Sequence, residues 1–154
     1  PTRRSSDLMV VSGHADPGNA AAVVRGIENA KKKNNKVNGT YSAWFDKGIV
    51  EGGAAAYFNG IHPTYDLHAG ESETGFGLMR YPELLDKAQI ASLKPNYEGE
   101  FLFERIGAGA KDFIECGAPD AYFGDPAAAT AENADKQYDV FSDYVVDEVR
   151  ALLG

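Results

Sequence analysis

Residues 8–45 constrain the fold more than any other part of the chain. Leu8–Val11 is a short continuous apolar run of the kind expected in a parallel strand covered on both faces. GHADPGN then supplies a turn, and Asn19 is well placed to cap the helix AAAVVRGIENAKKK. In that helix Ala22, Val23, Gly26, Ile27 and Ala30 form one small-to-apolar stripe. NNKVNG breaks it, and VNGTYSAWF reads as a second strand with Trp44 near its end. Strand, turn, helix and strand in immediate succession make a βαβ unit, whose crossover should be right-handed. The class expected for the chain is therefore α/β.

The middle of the chain is less patterned. DKGIVEGGAAAYF can be a helix interrupted by Gly52 and Gly53, and NGIHPTYDLHAG reads as a loop. ETGFGLMR predicts a helix that ends near Pro82, while EFLFERI suits either a strand or a helix. GDPAAATAENADKQYDVFSDYVVDEVRALL is clearer. Asp125 is expected to cap it with Pro126 at the first helical position, and Tyr138, Phe141, Val145, Val149 and Leu152 recur at helical spacing. No internal repeat, linker or second domain is evident.

The opening, PTRRSSDL, lacks an initiator methionine and resembles the translation of a sequencing-adapter oligonucleotide. Residues 1–7 are accordingly expected to be a non-native leader, and residues 8–154 the C-terminal portion of a single domain.

Hydrophobic residues make up 44% of the 154 and charged residues 25%, an ordinary globular balance with enough chain for a core. No apolar run approaches the roughly 18 residues of a membrane span. The lone cysteine, Cys116, forms no internal disulfide, so a reducing, cytoplasmic setting is expected, with the thiol buried and inert. The net charge of −8 is uneven: residues 1–50 hold 8 Lys/Arg against 4 Asp/Glu, and the remainder 7 against 19. KKKNNK sits where a helix C-terminus favours positive charge, and the overall acidity argues against nucleic acid as a partner.

Two segments could carry chemistry. His14 and Asp16 follow the first strand, where open α/β sheets gather ligands. An imidazole and a carboxylate at that spacing can bind Zn²⁺, Mn²⁺ or Fe²⁺; equally, Asp16, Gly18 and Asn19 can be plain turn chemistry. In DLHAGESETG, Asp66, His68, Glu71 and Glu73 crowd around Gly70. Histidine moves protons near neutral pH, and a neighbouring carboxylate can orient its ring. The alternative reads Ser72 or Glu71 as a helix cap and Glu73 as a first-turn acid. His62, before Pro63, reads as structural. Trp44 belongs to the core or offers a substrate platform. Gly107, Gly109 and Gly117 form no nucleotide-binding fingerprint.

Three segments in order resemble the creatininase (creatinine amidohydrolase) family. VVSGHADPGNAAAV resembles its strand followed by NGHGGN or NGHxEN, DLHAGESETG its HAGxxETS segment, and FGDPAAATAENA its late GDPxxAT segment. The resemblance spans residues 8–153. It implies a three-layer α/β/α fold with a mostly parallel sheet, incomplete here at the N-terminus. It also implies a metal-dependent hydrolase of cyclic or linear C–N amide-type bonds in small molecules. One or two divalent ions (Zn, Mn or Fe) per site and a homo-oligomer, a hexamer by resemblance, are expected, with no nucleic-acid or membrane partner.

By the same resemblance His14 matches a metal ligand, and Asp16 falls near a second-metal carboxylate. His68 matches a proton shuttle and Glu73 the glutamate of ETS. Tyr65 and Asp66 lie near positions that contact substrate; Trp44 joins them as a candidate substrate contact from its own residue type, outside the resemblance. GHADPGN is two residues longer than its counterpart, Ser12 replaces an asparagine and Gly75 a serine. The family's Glu-x-His pair and further aspartate have no counterpart here, so the chain alone is expected to hold part of the site and to be inactive. The competing class is a non-catalytic creatininase-like domain that binds a small molecule or a partner.

Overall fold

A computed structural model describes residues 7–13, 16–50, 53–60 and 63–154, and only the backbone of Phe45, Asp46 and Val50. His14 and His62 lie outside the described residues. The chain forms two compact units, one of residues up to 52 with Val140–Gly154, the other Gly53–Asp139.

In the first unit, β1 (Asp7–Val10) pairs in parallel with β2 (Asn38–Tyr41), Leu8 opposite Gly39 and Val10 opposite Tyr41. Helix α1 (Pro17–Lys33) makes the crossover, as the apolar run and stripe predict. Its buried Ile27 sits on the bare Cα of Gly39, where a Cβ would come within 3.0 Å of the isoleucine methyl. Lys31, Lys32 and Lys33 occupy the last turn, complementing the helix dipole.

Three expectations are corrected here. The N-cap is Asp16, not Asn19: Pro17 takes the first helical position, and the Asp16 carboxylate accepts the Asn19 N–H at 2.6 Å. β1 is not covered on both faces, since Leu8 is 50% exposed. Trp44 does not end a strand but begins helix α2 (Trp44–Val50). Pairing stops once Ser42 N–H has bonded Val10 O, so the strand propensity of the aromatic residues beyond it finds no ladder.

The second unit is built from short helices: α3 (Glu71–Arg80), α4 (Lys87–Ser92) and α5 (Leu102–Gly107), with 3-10 turns at Ala54–Tyr57, Pro63–Tyr65, Pro82–Leu84, Glu98–Phe101 and Pro126–Ala128. EFLFERI thus resolves as a 3-10 turn running into α5. Leu102, Cys116, Ala118 and Phe123 form the core, with Leu67, Ala110 and Phe113 against it. Cys116 is buried there, 1% exposed.

The final helix, α6 (Ala131–Leu153), starts later than Asp125 and Pro126 suggest. Those residues open a separate 3-10 turn, and Thr130 Oγ1 accepts the Asn133 N–H at the true start. Within the second unit, Ala134 of α6 packs against Gly75 of α3, and Gln137 bridges Ser72 Oγ (2.9 Å) and Tyr57 O (3.0 Å). Within the first, Phe141 meets Trp44 edge-on at 4.8 Å and Glu148 accepts the buried Ser42 hydroxyl. No described helix is long and apolar enough to cross a membrane.

Candidate functional site

The segment 66–73 is held by its own carboxylates. Asp66 is 6% exposed, and its two oxygens accept the N–H groups of Glu71 and Ser72, the latter at 2.9 Å. These are orphan donors at the start of α3, so the aspartate acts as a cap from five residues upstream of the helix. Helix α3 therefore begins on Gly70 and an outside carboxylate, with neither Ser72 nor Glu71 as its N-cap. Glu71, 3% exposed, turns back to accept Asn59 N–H and Gly60 N–H, both at 2.6 Å. Glu73 Oε2 accepts Ala69 N–H at 2.5 Å.

Glycines make room for these acids. A Cβ on Gly70 would fall 1.8 Å from Asp66 Oδ1, one on Gly124 2.3 Å from the same atom, and one on Gly60 2.8 Å from Glu71 Oε2. Gly124 also holds φ +120°, a backbone region costly for any other residue. Burial pushes the Asp66 carboxyl up to about 6, outweighing the two amide bonds that favour its charge. Burial likewise raises Glu71, against the pull of the Asn59 and Gly60 amides and with the repulsion of Asp125 adding to it.

His68 rides on this support. Its backbone pairs antiparallel with Phe123 (Phe123 N–H to His68 O, 2.8 Å), and its exposed ring lies 5.0 Å from the Phe113 ring. The neighbouring carboxylates bond backbone amides rather than the imidazole: Asp66 holds those of Glu71 and Ser72 and Glu73 that of Ala69, all of them C-terminal to His68. Tyr65 sits on the preceding 3-10 turn, its ring 6.2 Å from Tyr97. Alongside, Glu73, Thr74, Leu85, Ile90, Leu93 and Tyr122 help to line an open groove of about 360 Å³. Ala69 (φ 48°) and Ala121 (φ 60°) also line it, and among the described residues they are the two non-glycine residues in the left-handed region. Strain of that kind concentrates at functional sites.

Residues 5–149 match the sequence profile of the creatininase family, described as creatinine amidohydrolase. The chain belongs to the creatininase family. A crystal structure of a Bacteroides fragilis NCTC 9343 protein, assigned by name to the creatinine amidohydrolases, shares the fold with a TM-score of 0.61 and 21% identity. The alignment covers 96% of this chain and 54% of that one, so the chain spans about half the length of its structural relative. No curated protein matches the chain. The family is generally metal-dependent.

In the first unit, Asp16 is exposed and its Oδ1 is engaged as the cap of α1, while His14 lies outside the described residues. Trp44 packs on Phe141 and donates its Nε1–H to Ser12 O at 2.8 Å. Among the described residues no three His, Cys, Asp or Glu side chains gather closely enough to hold a metal ion. The donor chemistry of His14 and Asp16, one imidazole and one carboxylate, does suit Zn²⁺, Mn²⁺ or Fe²⁺. Glu71 is the residue that sequence reasoning undervalued. The clue was its place between Gly70 and a helical run, but its partners at 59 and 60 are set by the fold.

Proposed function

We propose that this chain serves metal-dependent hydrolysis of a C–N amide-type bond in a small cyclic or linear substrate. Membership of the creatininase family over residues 5–149 carries the reading. His14 and Asp16 would hold the ion; since Asp16 Oδ1 already caps α1, ligation would use Oδ2. A bound divalent ion lowers the pKa of its water from 15.7 to around 7 and polarises a carbonyl.

His68 delivers a proton from its imidazole to the departing nitrogen, a role worth roughly 10²–10⁴ in rate. Its exposed ring on a firmly held backbone suits that task. Glu73 acts through the loop, by fixing Ala69 N–H, and Tyr65 and Trp44 serve as substrate contacts. The groove alongside Glu73 has the dimensions of a small-molecule site.

Catalytic zinc sites use about three protein ligands, and this chain offers two candidates. Alone it should bind metal weakly and turn over little; in cells we place it in the cytoplasm as part of a homo-oligomer. The test measures bound metal and amide hydrolysis in the longest expressible form of the protein, with His14→Ala and His68→Ala beside it. Loss of metal with His14→Ala, and loss of turnover but not metal with His68→Ala, supports the assignment. Unchanged metal content and turnover in His14→Ala overturns it.

A further inference from the structure

Three carboxylates converge on a stretch of eight residues and bond only backbone amides, which is more support than a surface loop needs. Asp66, two residues before His68, binds the start of α3, and Glu71 ties that same start to the Asn59–Gly60 turn. Between them stand His68 and Ala69, the latter in the left-handed region and fixed by Glu73. Phe123 O and N–H secure the other side of the histidine backbone. Nothing in ordinary capping calls for a buried acid at each end of a histidine loop. An exposed aspartate or serine directly before the helix would satisfy the same donors.

We infer that Asp66 and Glu71 are positioning residues for His68, a buried pair that clamps the loop at both ends and sets where the imidazole stands against Phe113. The inference rests on the proton-transfer role given to His68 above, and it reassigns Asp66 from substrate contact to loop support.

The clamp has a built-in response to pH. The acids facing Asp66 are Glu71 and Glu73 of α3, and Asp125 faces Glu71 from the following turn. Tyr97 lines the same small cavity, and no lysine or arginine lies among the described residues around it. With burial placing the Asp66 carboxyl near 6, proton uptake in the mildly acidic range converts one acceptor oxygen to a hydroxyl. Glu71 N–H and Ser72 N–H then compete for the remaining oxygen. The start of α3 and the His68 loop must readjust together.

The experiment is an NMR titration of the labelled chain from pH 4.5 to 8, following the His68 ring and the Glu71 and Ser72 amides. The two amides should move with one midpoint, and the His68 ring signals should carry that same inflection. In Asp66→Asn the shared inflection should vanish from the His68 signals. In Glu71→Gln the nuclear Overhauser contacts between the His68 and Phe113 rings should weaken or be lost. A wild-type His68 curve with no inflection in common with the amides overturns the inference, as do unchanged His68 signals in both variants. If Asp66→Asn fails to fold, the wild-type titration and Glu71→Gln still decide. None of these readouts involves turnover or metal, so unchanged turnover in His68→Ala of the longest expressible form, with a coupled His68 here, would sink the catalytic reading and leave the clamp standing.

Discussion

Among the helices that an aspartate caps, α1 and α3 differ in nearly every physical respect of the cap. At α1, Asp16 is exposed, adjacent to the helix and bonded to one amide three residues on. At α3, Asp66 is buried, set five residues back, bonded to two amides and enclosed by Gly70 and Gly124. The first donor set could turn to water if its cap were lost. The second has no water to turn to. One electrostatic device therefore closes a helix in the first case and fixes a histidine loop in the second, and burial makes the difference.

Removing the acids sharpens the contrast most. Asp66→Ala should leave two buried amides without acceptors and cost about 3–5 kcal/mol, at roughly 1–3 for each orphaned group. Urea unfolding followed by residue-resolved hydrogen exchange in Gly53–Asp139 reads it, and a loss under about 1 kcal/mol would contradict the buried cap. Gly70→Ala should follow at about 3 kcal/mol, because its Cβ would land 1.8 Å from Asp66 Oδ1 and 2.6 Å from Phe123 O. A near-neutral effect there would mean that the cradle is loose.

The pH response comes next. The folded-state pKa of Asp66, about 6, lies above its ordinary 3.8. Between these values the folded chain holds more protons than the unfolded one, so stability falls as pH rises. The stabilisation is complete below about pH 4 and lost on passing about 6, a span worth on the order of 2–3 kcal/mol at 1.36 per unit. Asp66→Asn should flatten that limb of the stability–pH curve; an unaltered slope would refute the assignment. Smallest of all, Asp16→Ala should cost about 1 kcal/mol, the usual value of an exposed cap. Were it to equal Asp66→Ala in urea unfolding, the distinction between the two helix starts would fail.

The parts that local pattern could announce are those the chain writes within a few residues. Leu8–Val11, the small-residue stripe ending at Ala30 and the lysines at 31–33 specify β1 and α1 almost unaided. Pro82 marks the end of α3 equally well. The parts that misled were those where two local signals competed. Asn19 and Asp16 both suit a cap, and Pro17 decides for Asp16 because proline belongs at the first helical position. Asp125 and Pro126 announce a helix, yet the turn they open lasts three residues before Thr130 starts another.

Residue chemistry and family were legible: His68, Glu73 and Asp66 stand out in one short segment, and the three motifs in order led to the family match across 5–149. Their division of labour was not. Sequence cannot tell which oxygen an amide eleven or twelve residues away will reach, because that depends on how the Asn59–Gly60 turn and α3 fold onto each other. Periodicity and capping chemistry act over one or two turns of chain, and so the sequence by itself determined α1, α3, the body of α6, the parallel pair and the identity of the acids. Burial acts between segments distant in the chain; it was tertiary structure alone that turned Asp66 and Glu71 from surface carboxylates into the enclosed support of a histidine.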